Sequence, residues 1–255
     1  MKQEIKKLAR RGTAKVKRDD QTVHHAGFVL PPHSLRFCGD EFKDDAYFLK
    51  SARLEVKRLV RHAGLNEGSR LLDVGCGPGR LAIGVLAELG TIRRYVGVDV
   101  YAPAIAWCQR HLQPKNPSFT FVHFDVANER YNPKGEAIGE KVRLPVEDGA
   151  ADVINLYSVF SHMSYGDIVN YLGELRRVLA PEGRVFLTAF VEDRVPNYSI
   201  NPPGYVQDWS GALHCVRFQR EFFEETLSEA GFRVEDFEYG RETNGQSAYY
   251  LAPNG

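Results

Sequence analysis

Asp73 stands two residues before an alternating glycine run, Gly75-Cys76-Gly77-Pro78-Gly79, and a second aspartate, Asp99, stands twenty residues beyond Gly79. Alternating glycines let a backbone turn sharply and approach a ligand without Cβ obstruction. A carboxylate about 20 residues beyond such a turn can accept hydrogen bonds from both hydroxyls of a ribose. The spacing differs from a dinucleotide fingerprint, because the place of its third glycine is taken here by Arg80. Asp73 would repel a pyrophosphate, yet it can orient the ammonium end of an amino acid, directly or through water. A ligand with a ribose at one end and an amino acid at the other, such as S-adenosylmethionine, therefore suits these residues better than NAD.

Activated methyl donors need an acceptor aligned with the carbon–sulfur bond and, for a hydroxyl acceptor, a base to remove its proton. His162 is the candidate base. It follows the apolar run Asp152-Val153-Ile154-Asn155-Leu156-Tyr157-Ser158, and an imidazole with an ordinary pKa of about 6.5 accepts a proton at neutral pH. The alternative role for His162 is a structural one at a helix start, and His33, Tyr157 and His214 are the other possible bases. Arg80 opens the helix after the glycine turn, where a cation opposes the helix dipole, so pairing with a carboxylate is expected of it, a direct ligand contact being the alternative. Arg36 and Phe37 either close over the donor or pack.

Strand and helix patterns must position these groups. Apolar runs near 70–75, 95–100, 120–125, 152–158, 184–190, 233–239 and 247–252 read as strands, with helices near 79–89, 102–112, 165–179 and 220–230. That alternation is the signature of an α/β, doubly wound, mostly parallel sheet of seven strands. A turn-rich connection, Glu238 to Gly245, in place of a helix sends the last strand back antiparallel. Asp44 to Ala63 carries helix-spaced apolar positions, Phe48, Ala52, Val56, Leu59 and Val60, and Gly64 is placed to end it. The expected organisation is a basic arm over 1–27, a cap segment and helix over 28–64, and a domain over 65–255. Insertions at 128–147 and 192–218 break its rhythm.

In that order, the runs around Asp73, Asp99, Phe121-Val122-His123-Phe124-Asp125-Val126, Asp152–Ser158 and Val178–Val185 resemble the five motifs of the class I S-adenosylmethionine-dependent methyltransferases. The resemblance runs from about Arg70 to the C-terminus. It implies a Rossmann-like fold and a cofactor set of Asp73, Gly75, Cys76, Gly77, Gly79, Asp99, Val100, Asp125, Val126 and Tyr157, with Asp125 meeting the adenine amino group. Tyr131-Asn132-Pro133-Lys134-Gly135 and Ser158-Val159-Phe160-Ser161-His162-Met163 look like a bacterial branch that tailors sugars or small molecules. Methyl transfer to an oxygen of a small molecule is the expectation. The Tyr198–Trp209 and Tyr131–Gly135 segments would wall the acceptor. A nicotinamide-dependent oxidoreductase and a catalytically silent interaction protein of the same fold remain as alternatives, since fold alone does not assign function.

Composition bounds the partners. The 33 basic and 33 acidic residues cancel, so no global field draws the chain to nucleic acid or an anionic membrane. A local exception is the first 18 residues, with eight Lys and Arg against Glu4, read as a solvated arm. Hydrophobic residues at 43% and charged residues at 26% are globular values. Cys38, Cys76, Cys108 and Cys215 form no metal or redox spacing, so no metal is expected. The absence of an 18-residue apolar run or signal core makes a cytoplasmic location the default. Oligomeric state stays open.

Overall fold

A computed structural model of the chain describes residues 22–37, 39–136 and 142–254. Five parallel strands form the centre of the sheet: β3 (Arg70–Val74), β4 (Arg94–Asp99), β5 (Phe119–His123), β6 (Ala151–Leu156) and β7 (Leu179–Glu192). Helices α1 (Asp45–Ala63), α2 (Arg80–Glu88), α3 (Ala102–His111), α4 (Tyr165–Val178) and α5 (Arg220–Glu229) flank them. The final strands β10 (Phe232–Glu238) and β11 (Ser247–Pro253) pair antiparallel, giving the spatial order β10-β11-β7-β6-β3-β4-β5. The seven expected strands and the antiparallel return of the last one are therefore present.

Period-2 alternation along the strands builds two cores. Leu72, Val96, Ile154 and Leu187 face one layer with Ile168, Leu172 and Leu175 of α4 and Phe223 of α5. Their neighbours Leu71, Tyr95, Val153 and Phe186 face the other, with Phe48 and Val56 of α1, Leu81 and Val85 of α2 and Trp107 of α3. Strands buried on both faces read as continuous apolar runs for this reason. α1 starts where the Asp44 side chain accepts from the Tyr47 N–H at 2.7 Å and ends at Gly64 in the left-handed region. It packs against α2 so closely that a Cβ on Gly84 would strike the Ala52 carbonyl.

Two departures concern the additions. The 192–218 insertion is not wholly irregular: β8 (Tyr198–Ile200) pairs antiparallel with β9 (Val216–Gln219), and β9 pairs parallel with the end of β7. The sheet thus has nine strands, because β7 overruns its neighbours by several residues and its free edge accepts a partner. The boundary expected at residue 27 falls in the turn of a hairpin, β1 (Val23–His25) with β2 (Phe28–Leu30). Cys38, most of the basic arm and part of the 128–147 insertion lie outside the described residues. No helix among the described residues is long and apolar enough to cross a membrane.

Candidate active site

β3 is hydrogen-bonded to both β4 and β6, and the chain moves outward from it in both directions. Ligands of open α/β sheets bind outside the carboxyl ends of the strands at such a switch point. A cleft of about 960 Å³ opens there, lined by the glycine turn, the ends of β4 and β5, the segment after β6, and both insertions.

The turn is folded onto β4. Gly75 and Cys76 donate their N–H groups to the Val98 carbonyl at 2.8 and 3.1 Å. Gly77 donates to Asp99 Oδ2 at 2.7 Å, while Tyr101 donates to Asp99 Oδ1 at 2.7 Å. Burial raises the Asp99 pKa above its ordinary value, against these two backbone donors. Each carboxylate oxygen keeps a second lone pair for a ligand, and Asp99 and Val100 both line the cleft.

The three glycines do different work. Gly77 has φ of 51°, and a Cβ there would meet nothing within 4 Å; this open space is where a ligand can approach the backbone. A Cβ on Gly75 would strike Val159 at 2.5 Å, and one on Gly79 would strike Leu112 at 2.7 Å and Cys108 at 3.1 Å. Gly79, expected in the ligand set, is not among the residues lining the cleft and packs against Leu112 and Cys108. Cys76 is buried and borders only a smaller pocket, of about 60 Å³, behind the turn.

Asp73 also faces that smaller pocket. Its Oδ2 accepts from the Tyr95 hydroxyl at 2.5 Å and its Oδ1 from Asn155 Nδ2 at 2.8 Å. Burial first, and the Glu55 carboxylate second, push its pKa up to about 7. Each oxygen already accepts one buried donor, and the pocket of about 60 Å³ beside them has room for the route through water to an ammonium group. Glu55 Oε2 pairs with Arg80 Nη1 at 2.5 Å, and Asn155 Nδ2 also reaches Glu55 Oε1 at 3.1 Å. Arg80, over the Tyr157 ring at 4.6 Å, thus has the carboxylate partner expected of it.

Asp125 is not brought to the cleft. β5 ends at His123 and Val126 donates to the Phe124 carbonyl at 2.8 Å, which places Asp125 at the tip of a tight three-residue turn. Its exposed carboxylate accepts from Asn132 Nδ2 at 2.9 Å. The neighbours Phe124 and Val126 line the cleft instead.

His162 does line the cleft, on a short 3-10 turn over Phe160–His162. Its Nδ1 lies 3.1 Å from the Leu213 carbonyl. A carbonyl only accepts, so the geometry assigns the proton to Nδ1 and leaves a lone pair on Nε2. Burial depresses its pKa to about 4, with the Arg130 and His214 charges acting in the same direction. The other bases are less suited. Burial lifts Tyr157 to about 12, and its hydroxyl is held by Thr243 Oγ1 at 2.7 Å and Glu242 at 3.2 Å. His214 Nδ1 is 2.8 Å from the Ser210 carbonyl, and His33 Nε2 is 3.2 Å from Asp45.

Beside His162 the cleft wall is aromatic, only in part from the residues expected there. Tyr131 meets His162 edge-on at 5.6 Å, and Trp209 meets Phe190 at 5.5 Å and His214 at 5.0 Å. Tyr198 turns away to stack on Tyr165, and Tyr205 packs behind the wall, accepting from Trp209 Nε1 through its carbonyl. Arg36 is buried, donating to the Pro31, Phe42 and Lys43 carbonyls and pairing with Asp45 at 2.8 Å; it holds the cap together. Phe37, 45% exposed, packs on Tyr101 at the rim.

Sequence reasoning did not single out Glu55, Tyr95, Leu213 or Arg130. Glu55 had a signal, since it lies on the buried stripe of α1 between Ala52 and Leu59. The others depend on partners far along the chain. Among the described residues no group of three or more His, Cys, Asp or Glu is placed to hold a metal.

Known proteins bear on the same region. A demethylmenaquinone methyltransferase of Thermus thermophilus is 31% identical over 121 residues, 48% of this chain and 47% of the relative. A 2-phytyl-1,4-naphtoquinone methyltransferase of Synechocystis sp. is 30% identical over 131 residues, 51% of this chain and 49% of the relative. The chain therefore spans about half the length of the curated relatives it matches. Among solved structures, a Burkholderia thailandensis 1,6-didemethyltoxoflavin-N1-methyltransferase with bound 1,6-didemethyltoxoflavin and S-adenosylhomocysteine superposes with a TM-score of 0.53. It shares 17% identity and 85% coverage of either chain, a likeness of fold. The family described as methyltransferase domain matches residues 47–236. That span takes in all five central parallel strands, the glycine turn and the His162 wall of the cleft, and on it this chain belongs to the methyltransferase domain family.

Proposed function

We propose that the chain transfers a methyl group from S-adenosylmethionine to an oxygen on a planar, conjugated small molecule. The observation that carries this reading is the single cleft that has Gly77 and Asp99 at one end and a neutral His162 among aromatic rings at the other. At about 960 Å³ the cleft stands at the upper end of the roughly 300–1,000 Å³ of drug-sized ligand pockets.

The residues fit the donor. The open face of Gly77 is a cradle that a side chain would fill, and Asp99 offers acceptor capacity for the ribose hydroxyls beside it. Val100 and Val126 flank the place of the adenine, while Tyr157 and the small pocket over Asp73 face the amino-acid end. Asp125 is left out of this set because it does not line the cleft. Bound at Gly77 and Asp99, S-adenosylmethionine would supply an activated methyl group for the acceptor oxygen. The chain's own work is to align and to deprotonate. The walls of Tyr131, Phe190 and Trp209 hold a flat ring and exclude water. His162 Nε2 takes the hydroxyl proton, while Nδ1–H on the Leu213 carbonyl fixes the ring. Tyr157, with a pKa of about 12, stays protonated.

Of the sugar or small-molecule acceptors expected from the Tyr131–Gly135 and Ser158–Met163 segments, a planar ring is the one this reading takes. The aromatic walls support it, as do the naphthoquinone and toxoflavin substrates in the names of similar proteins. A Bdellovibrio bacteriovorus protein similar to this chain is named a ubiquinone/menaquinone biosynthesis C-methyltransferase, which favours a second reading, transfer to a ring carbon beside a hydroxyl, with the same deprotonation. Calorimetry with S-adenosylhomocysteine and with NAD tests the first step: micromolar binding of the former and none of the latter is expected, and the reverse would sink the proposal. A carbon-13 methyl donor incubated with candidate phenols, read by NMR, separates an oxygen-bound from a carbon-bound product methyl.

A further inference from the structure

Four cations line the cleft and the pocket behind it, and three are matched by carboxylates: Arg36 by Asp45, Lys43 by Asp40 and Arg80 by Glu55. Arg130 is the fourth. Among the described residues it has no carboxylate partner, and its Nε is buried without a hydrogen-bond acceptor. A guanidinium in a partly desolvated wall is costly to leave in this state.

Arg130 is also held in place. Asn128 Oδ1 accepts from the backbone N–H groups of Arg130 and Tyr131 at 3.1 and 2.9 Å, and Asn128 Nδ2 donates to the His162 carbonyl at 3.1 Å. One asparagine thereby ties the loop carrying the cation to the turn carrying the base. The Arg130 guanidinium carbon lies 5.5 Å from the Tyr131 ring centre, and the His162 ring centre lies 5.6 Å from it on the same ring. Arg130 Nη1 extends to Gly211, 3.8 Å from where a Cβ would stand, so the side chain reaches from one insertion to the other. A planar fork of donors matches a carboxylate bidentately.

We infer that the methyl acceptor is an aromatic hydroxy acid, whose carboxylate is read by Arg130 while its hydroxyl lies at His162. The inference rests on the proposed methyl transfer for the role of the hydroxyl, but recognition of the carboxylate is open to test without turnover.

The test is calorimetry on the full chain, with 4-hydroxybenzoate and its neutral methyl ester as probes, each with and without saturating S-adenosylhomocysteine. Wild type is expected to bind the acid at least tenfold more tightly than the ester. Arg130→Gln should bring the two within about twofold with S-adenosylhomocysteine affinity unchanged, and Arg130→Lys should restore part of the preference. An ester bound as well as the acid by wild type, binding of neither probe, or a preference that survives in Arg130→Gln would each overturn the inference. A preference for the acid in a chain that does not bind S-adenosylhomocysteine would instead uphold Arg130 and remove the methyl-transfer reading.

Discussion

Replacing His162 by alanine separates a catalytic from a structural histidine. In the wild type, burial and neighbouring positive charge hold the imidazole near a pKa of about 4. At pH 7 all but roughly one molecule in a thousand then carries the free Nε2 lone pair. Removal of a positioned base costs about 10²–10⁴-fold in rate. His162 is remote from Gly77 and Asp99 in role, so S-adenosylhomocysteine affinity should hold within about twofold. Single-turnover rates against pH should rise through about pH 4 in the wild type, well below the ordinary imidazole value of about 6.5, and the alanine variant should lack that limb. Stability gives a second readout with a definite sign. The unfolded chain takes up the proton at about 6.5 and the folded chain only near 4, so stability falls as pH is lowered through this window, by about 3 kcal/mol in full. The variant should lose less over the same range, while giving up about 1 kcal/mol at neutral pH for the Leu213 hydrogen bond. Wild-type turnover in a folded alanine variant, or an acid limb that persists in it, would refute the assignment of His162 as the base.

Asp99→Ala should weaken S-adenosylhomocysteine binding by about 1.5–3 kcal/mol, the worth of a hydrogen bond to a charged group; calorimetry that finds unchanged affinity in a folded variant removes the ribose assignment. Gly77→Ala and Gly79→Ala should diverge. The first puts a methyl into open space at the ligand face and should lose cofactor affinity with a small drop in melting temperature. The second strikes Leu112 and Cys108 and should lower the melting temperature more than Gly77→Ala does. Asp73→Asn addresses the buried acid pair. Because the folded-state pKa of Asp73 is raised to about 7, its ionisation opposes folding increasingly as pH rises from about 4 through 7. The variant should therefore flatten the decline of melting temperature over that window, and an unchanged pH profile would mean that Asp73 is not the group titrating there.

What the sequence determined by itself is what short-range pattern can dictate. The apolar runs at Leu71–Val74, Tyr95–Val98 and Val153–Leu156 specify strands buried on both faces, the helix-spaced residues of 45–63 specify an amphipathic cover, and the glycine run with Asp99 twenty residues on specifies a sharp turn beside a strand-end carboxylate. Strand period, helix period and turn conformation are properties of adjacent residues, so they are legible before any fold is known. Tertiary structure alone decided which polar atoms are free. Asp73 is turned toward Tyr95 and Asn155, one Asp125 oxygen accepts from Asn132 at the tip of a turn, and Gly79 packs against Leu112 and Cys108. His162 owes its proton position to Leu213, 51 residues away, and its lowered pKa chiefly to burial. Arg130 is conspicuous only because the other cleft cations are paired. Each of these depends on distance between residues remote in the chain and on the water removed between them, and neither quantity is written in local sequence.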